Sequence, residues 1–479
     1  MSNASKPRRR FVGSKNQPKS FSSSSSAPIQ IRNQIPAEIL NDEELNAAIG
    51  LLPKNYSFEI HKTIWHVKKN DAKMVGLQMP EGLQMFACLI SDIIERFTDA
   101  QTTILGDVTY GACCVDDFTA VALGCDLLVH YGHSCLVPMD QTTIKTLYVF
   151  VEISIDSDHL HRTIRLNLPD DREMFRESLL LGHEEVEPGE KIKGVTPHLR
   201  IEAAPSSSTS ITKTQGEHTR LALVSTIQFA AALQRLKEDL SQPLASVSEG
   251  ALWSGEYTCT VPRSKPLSPG EILGCTAPRL GEEVDGIIYL GDGRFHLEAI
   301  MIANPDVPAF RYDPYSKKLT RERYGHGEMR RIRGDAVRKA KGSIEWPEEK
   351  PLWGAILGTL GRQGSFRQLK AITNQLSTSR TSIPYMPILL SELSPAKLGL
   401  FNSGKLNVAT WVQTSCPRLS IDWGYAFDRP LLSPYEAALA VGGGGFESGW
   451  MEEEGAAYPM DFYAAGTAWA VSRIKGRYE

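Results

Sequence analysis

The sequence predicts an α/β fold made of three similar units, each carrying a mostly parallel sheet. Three observations predict it. Short apolar runs alternate with amphipathic helical stretches along most of the 479 residues. Three blocks open alike, with a strand, a polar turn and a helix: "VGLQMPEG", "LVSTIQF" and "ILGTLGRQG". Each block later presents a cysteine just after a short apolar run or turn: Cys113, Cys275 and Cys416. Literal identity between the blocks is weak, so what repeats is the layout.

Taken in order, residues 1–37 are basic and Ser-rich and lack an apolar core, which reads as a disordered tail. Such a stretch is no secretory signal. It overlaps in composition with a mitochondrial transit peptide but has no apolar face. The first unit spans residues 38–165. In it "LNAAIGLLPKNYSFEIHKTIWHVKK" reads as helices and "KMVGLQMP" as a buried strand ending at Pro80. "EGLQMFACLISDIIERF" is a helix with Leu83, Phe86, Ile90, Ile93 and Phe97 on one face. "TTILGD", "CDLLVHYG" and "TLYVFVEIS" supply further apolar runs.

Residues 166–218 read as an insertion or linker, largely disordered. "DDREMFRESLLLGHEEVEPGEKIKG" is charged, and "APSSSTSITKTQGEHT" has no periodicity. The same break in rhythm begins at about residue 157. The second unit, 219–345, contains "RLALVSTIQFAAALQRLKEDL", "GEILGCTAPRL" and "VDGIIYLGDGRFHLEAIMIANP". The third, 346–440, contains "WGAILGTLGRQGSFRQLKAITNQL", "MPILLSEL" and "LNVATWVQTSCPRLSIDWG". Residues 441–479, Gly- and acid-rich around "VGGGGFESGWMEEEG", read as an extended C-terminal tail.

Composition narrows the function classes. A net charge of −4 carries no global nucleic-acid or membrane signature. No apolar run reaches the roughly 18 residues of a membrane span. Eight cysteines are too sparse for a disulfide scaffold, so a reducing, cytoplasmic setting is expected. The basic run "RERYGHGEMRRIRGDAVRKAKG" reads as a solvated helix face, with an acidic or RNA-bound partner as the alternative.

The cysteines carry the chemistry. In parallel α/β folds, ligands bind at the carboxyl ends of strands, where helix N-termini offer N–H groups and positive potential. Such positions lower a thiol's pKa toward the thiolate that metals need. Any one of these cysteines could instead be a small buried hydrophobe. The chain has no CxxC motif, and "HYGHSC", with His130, His133 and Cys135, lacks the second close pair of a structural zinc site. Three thiolates from three units would suit a [4Fe–4S] cluster with one iron open to substrate. The residues permit that centre without demanding it. A zinc-binding or redox scaffold with a Rossmann-like nucleotide-binding fold stays open.

Seven motifs go further: "GDVTYGACCVDD", "ALGCDLLVHYGHSC", "ALVSTIQF", "KPLSPGEILGCTAPRL", "YLGDGRFHLEA", "LGTLGRQG" and "WVQTSCPRLSIDWG". Together they resemble the diphthamide synthase subunit 1 family, the eukaryotic 2-(3-amino-3-carboxypropyl)histidine synthases. The resemblance covers residues 45–160 and 219–440. It implies three α/β domains arranged around a central [4Fe–4S] cluster, with one ligand each from Cys113, Cys275 and Cys416. Cys114 would be a bystander, because successive side chains at a strand end face opposite ways. It also implies a radical enzyme that cleaves S-adenosylmethionine at the Cγ–S bond. The 3-amino-3-carboxypropyl group then goes to C2 of a histidine in elongation factor 2, the first step of diphthamide biosynthesis, and methylthioadenosine leaves. A related second synthase subunit, forming a heterodimer, and a small iron-bearing electron-donor protein are the implied partners.

The substrate's carboxylate calls for N–H groups or a guanidinium. Gly361, Arg362 and Gln363 on the third unit's first turn are candidate cofactor-binding residues, with Gln78 and Gln228 on the matching turns and Arg418 beside a ligand cysteine. Asp422 lies close by, and Asp292, Arg294 and His296 suit either interdomain or substrate contact. Helix capping and pairing between units are the alternative for all of these polar residues.

Overall fold

A computed structural model describes residues 35–106, 115–132, 142–180, 216–243, 255–345, 351–362, 364–379, 382–402, 406–442, 448–452, 456–467 and 470. The chain opens with α1 (Ala37–Leu40), α2 (Glu43–Ile49), β1 (Tyr56–Ser57) and α3 (Ile60–Lys69). There follow β2 (Met74–Gln78), α4 (Glu81–Gln84), α5 (Ala87–Phe97), β3 (Gln101–Ile104), α6 (Asp117–Ala122), β4 (Leu127–Tyr131) and β5 (Lys145–Val149). The predicted helix over residues 81–97 is thus two helices, parted at Met85 and Phe86. The longer one buries Ile90, Ile93 and Ile94 against the sheet, each worth about 1.5–3 kcal/mol. The strands pair in the order β3-β2-β4-β5, all parallel.

Next come β6 (Glu152–Ile153), paired antiparallel to β1, then α7 (Ser157–Asn167) and α8 (Arg172–Leu180). These two helices correct the expectation of a linker. Leu160 and Ile164 of α7 and Phe175 of α8 are fully buried, packed with Leu221, Leu223 and Phe310 of the following sheet. Charges that made this stretch look solvated are partnered instead: Arg172 and Arg176 both bind the buried Asp285, next to the Gly286 that Phe175 packs against. The chain therefore crosses into the second core before residue 165, and the remainder of the predicted linker, 181–215, lies outside the described residues.

The second sheet is formed by β7 (Arg220–Ser225), β8 (Thr258–Thr260), β9 (Gly286–Leu290), β10 (Ala309–Asp313) and β11 (Lys318–Glu322). Between them run α9 (Ala230–Leu240) and α10 (Phe295–Ala303), and α11 (His326–Glu345) follows. The order is β8-β7-β9-β10-β11, parallel except for the final hairpin. The basic run is more than a solvated face. Arg333 of α11 is fully buried in a two-bond ion pair with Glu436.

The third sheet comes from β12 (Leu352–Gly358), α12 (Phe366–Thr378), β13 (Tyr385–Leu390), α13 (Pro395–Gly399), β14 (Val408–Gln413), α14 (Pro417–Trp423), β15 (Leu431–Leu432) and α15 (Pro434–Ala440). Its order is β13-β12-β14-β15, all parallel. Counting strands as they enter each sheet, all three share the order second-first-third-fourth. That shared topology is the repeat the sequence hinted at, and in each sheet the order reverses beside the first strand, where such folds bind ligands. No helix among the described residues is long and apolar enough to cross a membrane.

The last segment is a second correction. Trp450, Tyr458, Met460 and Phe462 are buried in the core that holds Ile300 and Trp353, so residues 450–452 and 456–463 are docked and not an extended tail. Tyr458, Met460 and Phe462 do alternate with a strand's period of two, but over only five residues next to a Gly- and acid-rich stretch, too short a run to stand out in pattern reading.

Candidate functional site

The three units meet at the carboxyl ends of their strands, and each pair of units has its own contact there. Between first and third, Arg362 follows β12 and grips Asp117, with Nε 2.8 Å from Oδ1 and Nη2 2.7 Å from Oδ2. Its guanidinium also lies 4.6 Å over the Phe118 ring. Its backbone N–H donates to the Val115 carbonyl at 3.2 Å. Gly361 before it has φ +53°, and a Cβ there would press on the same carbonyl.

Between first and second, Gln228 reaches Gly132 at the end of β4. A Cβ on Gly132 (φ +100°) would sit 2.9 Å from Pro80 and 3.6 Å from Gln228 Nε2. Between second and third, Arg418 in the first turn of α14 donates from Nη1 to the carbonyls of Gly274 (3.2 Å) and Phe295 (2.6 Å). Its Nη2 binds Glu298 at 2.6 Å and its Nε binds Asp422 at 2.9 Å. Only 1% of the Arg418 side chain is exposed.

Arg418 thereby ties two cysteine turns together. Gly274 immediately precedes Cys275, and Cys416 is the N-cap residue of α14, two residues before Arg418. Cys275 is 4% exposed and occupies a tight turn closed by mutual Leu273 and Thr276 backbone hydrogen bonds. Glycine is required next to it, since a Cβ on Gly274 would run into the Phe295 ring. Cys416 is part-buried, and Gln413 at the end of β14 holds its carbonyl at 3.0 Å and the Ser415 N–H at 2.7 Å.

The other described thiols differ in kind. Burial pushes the Cys259 thiol up to about 12 and also raises Cys125, so both stay protonated in apolar cores. Cys88 is exposed on α5. Cys113, Cys114, Cys135, His133 and Gln363 lie outside the described residues. With two of the three predicted ligands described, no group of three metal-ligating side chains forms among the described residues. The two described candidate sulfurs, Cys275 and Cys416, sit on separate turns of separate units.

The chain leaving Cys113 is held as firmly as the other two turns. Gln78 Oε1, at the end of β2, accepts from the Asp116 N–H at 3.0 Å and lies 3.0 Å from His130 Nδ1. Burial alone would raise the pKa of Asp117. The Arg362 hydrogen bonds and the N–H and hydroxyl of Thr143 outweigh it and hold the carboxyl below its usual range. Asp422 goes the other way, because burial raises its pKa despite Arg418.

Every described candidate, Gln78, Gln228, Gly361, Arg362, Arg418, Cys275 and Cys416, lies at this junction. Asp292, Arg294 and His296 follow β9, where Arg294 pairs with Glu322 and Glu298 of its own unit. Sequence reasoning missed Asp117, Glu298, Gln413 and Thr276, and weighed His130 only as a zinc ligand. The adjacent acids Asp116 and Asp117 behind the paired cysteines were the one available signal.

The profile of the family described as "Putative diphthamide synthesis protein" matches residues 79–176 and 179–454. The chain is 49% identical to the 2-(3-amino-3-carboxypropyl)histidine synthase subunit 1 of Gallus gallus, over 90% of this chain and 86% of that protein. Proteins of the same name from Homo sapiens and Schizosaccharomyces pombe are 47% and 45% identical, covering 94% and 96% of this chain and 85% and 92% of theirs. Among solved structures, the crystal structure of Dph2 from Pyrococcus horikoshii with a 4Fe-4S cluster is similar in fold, with a TM-score of 0.53 at 21% identity, covering 81% of this chain and 91% of that one.

Proposed function

The chain belongs to the diphthamide synthesis protein family, and from that premise we propose that it is a transferase subunit built on a [4Fe–4S] cluster. The transferred group is the 3-amino-3-carboxypropyl moiety of S-adenosylmethionine, and the acceptor is a histidine of elongation factor 2. Cys113, Cys275 and Cys416 hold the cluster. The observation that carries this is the tether: one buried guanidinium, Arg418, ties the turns of Cys275 and Cys416 from two different sheets.

When bound and reduced, the cluster supplies the electron that breaks the Cγ–S bond of the sulfonium. The chain's own residues do the rest. Gln78, Gln228, Gly361, Arg362, Gln363 and Arg418 frame the substrate's site: turn N–H groups face its carboxylate, while Arg362 and Arg418, whose guanidiniums are committed to Asp117 and to Glu298 and Asp422, hold those turns in place. The burial of Cys275 keeps water from the sulfur. Arg362 and Asp117 fix the chain just downstream of Cys113, so that this loop and the third unit move as one. A related second subunit completes the enzyme, in keeping with the name its relatives bear. A small iron-bearing protein supplies electrons, and the setting is cytoplasmic.

The test is anaerobic purification with iron, sulfide and visible-absorption measurements on wild type and on Cys113→Ala, Cys275→Ala, Cys416→Ala and Cys114→Ala. About four irons per chain, lost in the first three variants and kept in Cys114→Ala, is the expected outcome. Stoichiometric zinc in place of iron, or iron indifferent to these substitutions, would refute it.

A further inference from the structure

The docked C-terminal segment lies directly on the turn of Cys275. Leu273 and Thr276 exchange backbone hydrogen bonds of 2.9 and 3.1 Å, leaving Gly274 and Cys275 at the tip. The segment runs antiparallel beside that turn, with Thr276 opposite Asp461. The Phe462 N–H donates to the Cys275 carbonyl at 3.3 Å, and the Ala277 N–H donates to the Met460 carbonyl at 2.8 Å. Met460 and Phe462 sit in the same apolar core as Cys275. The segment is pinned upstream, where Tyr458 donates to Glu436 at 3.1 Å and Trp450 Nε1 donates to Tyr435 at 3.0 Å.

Thr276 links this segment to the sulfur. Its side chain is buried, and its hydroxyl oxygen accepts the Tyr463 N–H at 3.0 Å. A hydroxyl has one proton to donate. With a lone pair engaged by Tyr463, that proton points to Cys275 Sγ, 3.9 Å away. A donor to a metal-bound thiolate stabilises the more negative, reduced state of an iron–sulfur centre and so raises its potential.

We propose that residues 456–463 are part of the site: they strap down the Cys275 turn and aim the Thr276 hydroxyl at the Cys275 sulfur. Thr276 is then a positioning residue that tunes the potential of the centre that sulfur holds. The tuning half rests on the cluster reading above, whereas the strap is a property of the chain alone.

Two measurements separate them. On iron-free protein, iodoacetamide labelling of Cys275 is followed by peptide mass spectrometry in wild type, in a chain ending at residue 455, and in Tyr463→Pro. The proline variant removes the Tyr463 N–H together with its part-buried ring but keeps Met460 and Phe462, so it serves if the truncated chain does not fold. Labelling at least about tenfold faster is expected in both, the effect of about 1.4 kcal/mol less protection. Wild-type labelling rates in Tyr463→Pro would overturn the strap. On anaerobically purified protein, the midpoint potential is read by electron paramagnetic resonance during reductive titration. Thr276→Val should keep its iron and titrate at a lower potential, and Thr276→Ser should return to the wild-type value. An unchanged potential in Thr276→Val would overturn the tuning. Wild type devoid of iron would overturn both the cluster reading and the tuning, and the labelling result would still decide the strap.

Discussion

Replacing Arg418 with leucine should release the Cys275 turn from the third unit. The guanidinium is buried and makes four hydrogen bonds, two to carboxylates and two to carbonyls. It also lies 4.3 Å over the Phe295 ring. Leucine leaves Glu298 and Asp422 without their cation and the Gly274 and Phe295 carbonyls without their donor. Charge-assisted bonds contribute about 1.5–3 kcal/mol each and the carbonyl bonds about 1 kcal/mol each. Both carboxylates are about one-fifth exposed, so water recovers part of that sum. The expected loss is about 3–5 kcal/mol, the range for removing one partner of a buried pair. In amide hydrogen exchange, the backbone around Leu273–Ala277 should then lose about two to three and a half decades of protection.

The sign of its pH dependence follows from Asp422. Burial already raises that carboxyl's pKa while Arg418 opposes the rise. A carboxyl with a raised folded pKa penalises the fold above that pKa, and the penalty vanishes below its unfolded value. Without Arg418 the rise is larger, so the defect relative to wild type at the same pH should be greater at pH 8 than at pH 5. Arg418→Lys keeps the charge on a single nitrogen and should lose less, with little pH dependence. Wild-type protection in Arg418→Leu at pH 8, or an equal defect at both pH values, would refute the tether.

Two further outcomes follow. Asp117→Asn should weaken first-to-third-unit docking by about 2–3 kcal/mol at pH 7, since two charge-assisted bonds go but the Thr143 donors remain. The depressed pKa of Asp117 means this stabilisation is present above the ordinary aspartate pKa of about 3.9 and is lost below it. In wild type, exchange protection around Val115–Phe118 should therefore fall on acidification, and the asparagine variant should be flat through the same range. Gly274→Ala should drive the Phe295 ring off Arg418, costing about 1–3 kcal/mol in the same turn. Adding Phe295→Leu should recover protection, and a Gly274→Ala chain with wild-type exchange would refute the packing account.

Much of the scaffold was legible because buried parallel strands announce themselves locally. "KMVGLQMP", "CDLLVHYG", "RLALVS", "WGAILG" and "LNVATWVQ" each hold a strand of the structure; Gln78 closes the first of them, and Gln228, Arg362 and Arg418 follow the third, fourth and fifth. What stayed hidden were relations across long separations. Arg362 and Asp117 stand 245 residues apart, and Arg418 and Gly274 stand 144 apart. Neither distance has a local signature. The segment around Phe175 and the one around Phe462 failed for another reason. Each buries a few large side chains amid polar sequence, so average composition points outward while the few anchors point inward.

The repeated fold does not by itself make the site. Cys275 falls in the chain between the second and third strands of its sheet, β8 and β9, and Cys113 falls between β3 and α6, also after a second strand. Cys416 follows a third strand, β14. Ligands drawn from non-equivalent loops cannot be brought together by topology alone, so each turn needs its own tether. Gln78 and the Arg362–Asp117 pair hold the chain leaving Cys113, Gln413 and Arg418 hold the turn of Cys416, and Arg418 with the C-terminal segment holds that of Cys275. Because Arg418 serves two of the three turns, its loss should disturb both, whereas loss of the Arg362–Asp117 pair should leave the Cys275 turn protected. Hydrogen exchange on the two variants side by side separates a site built from individual tethers from one set by the repeat as a whole.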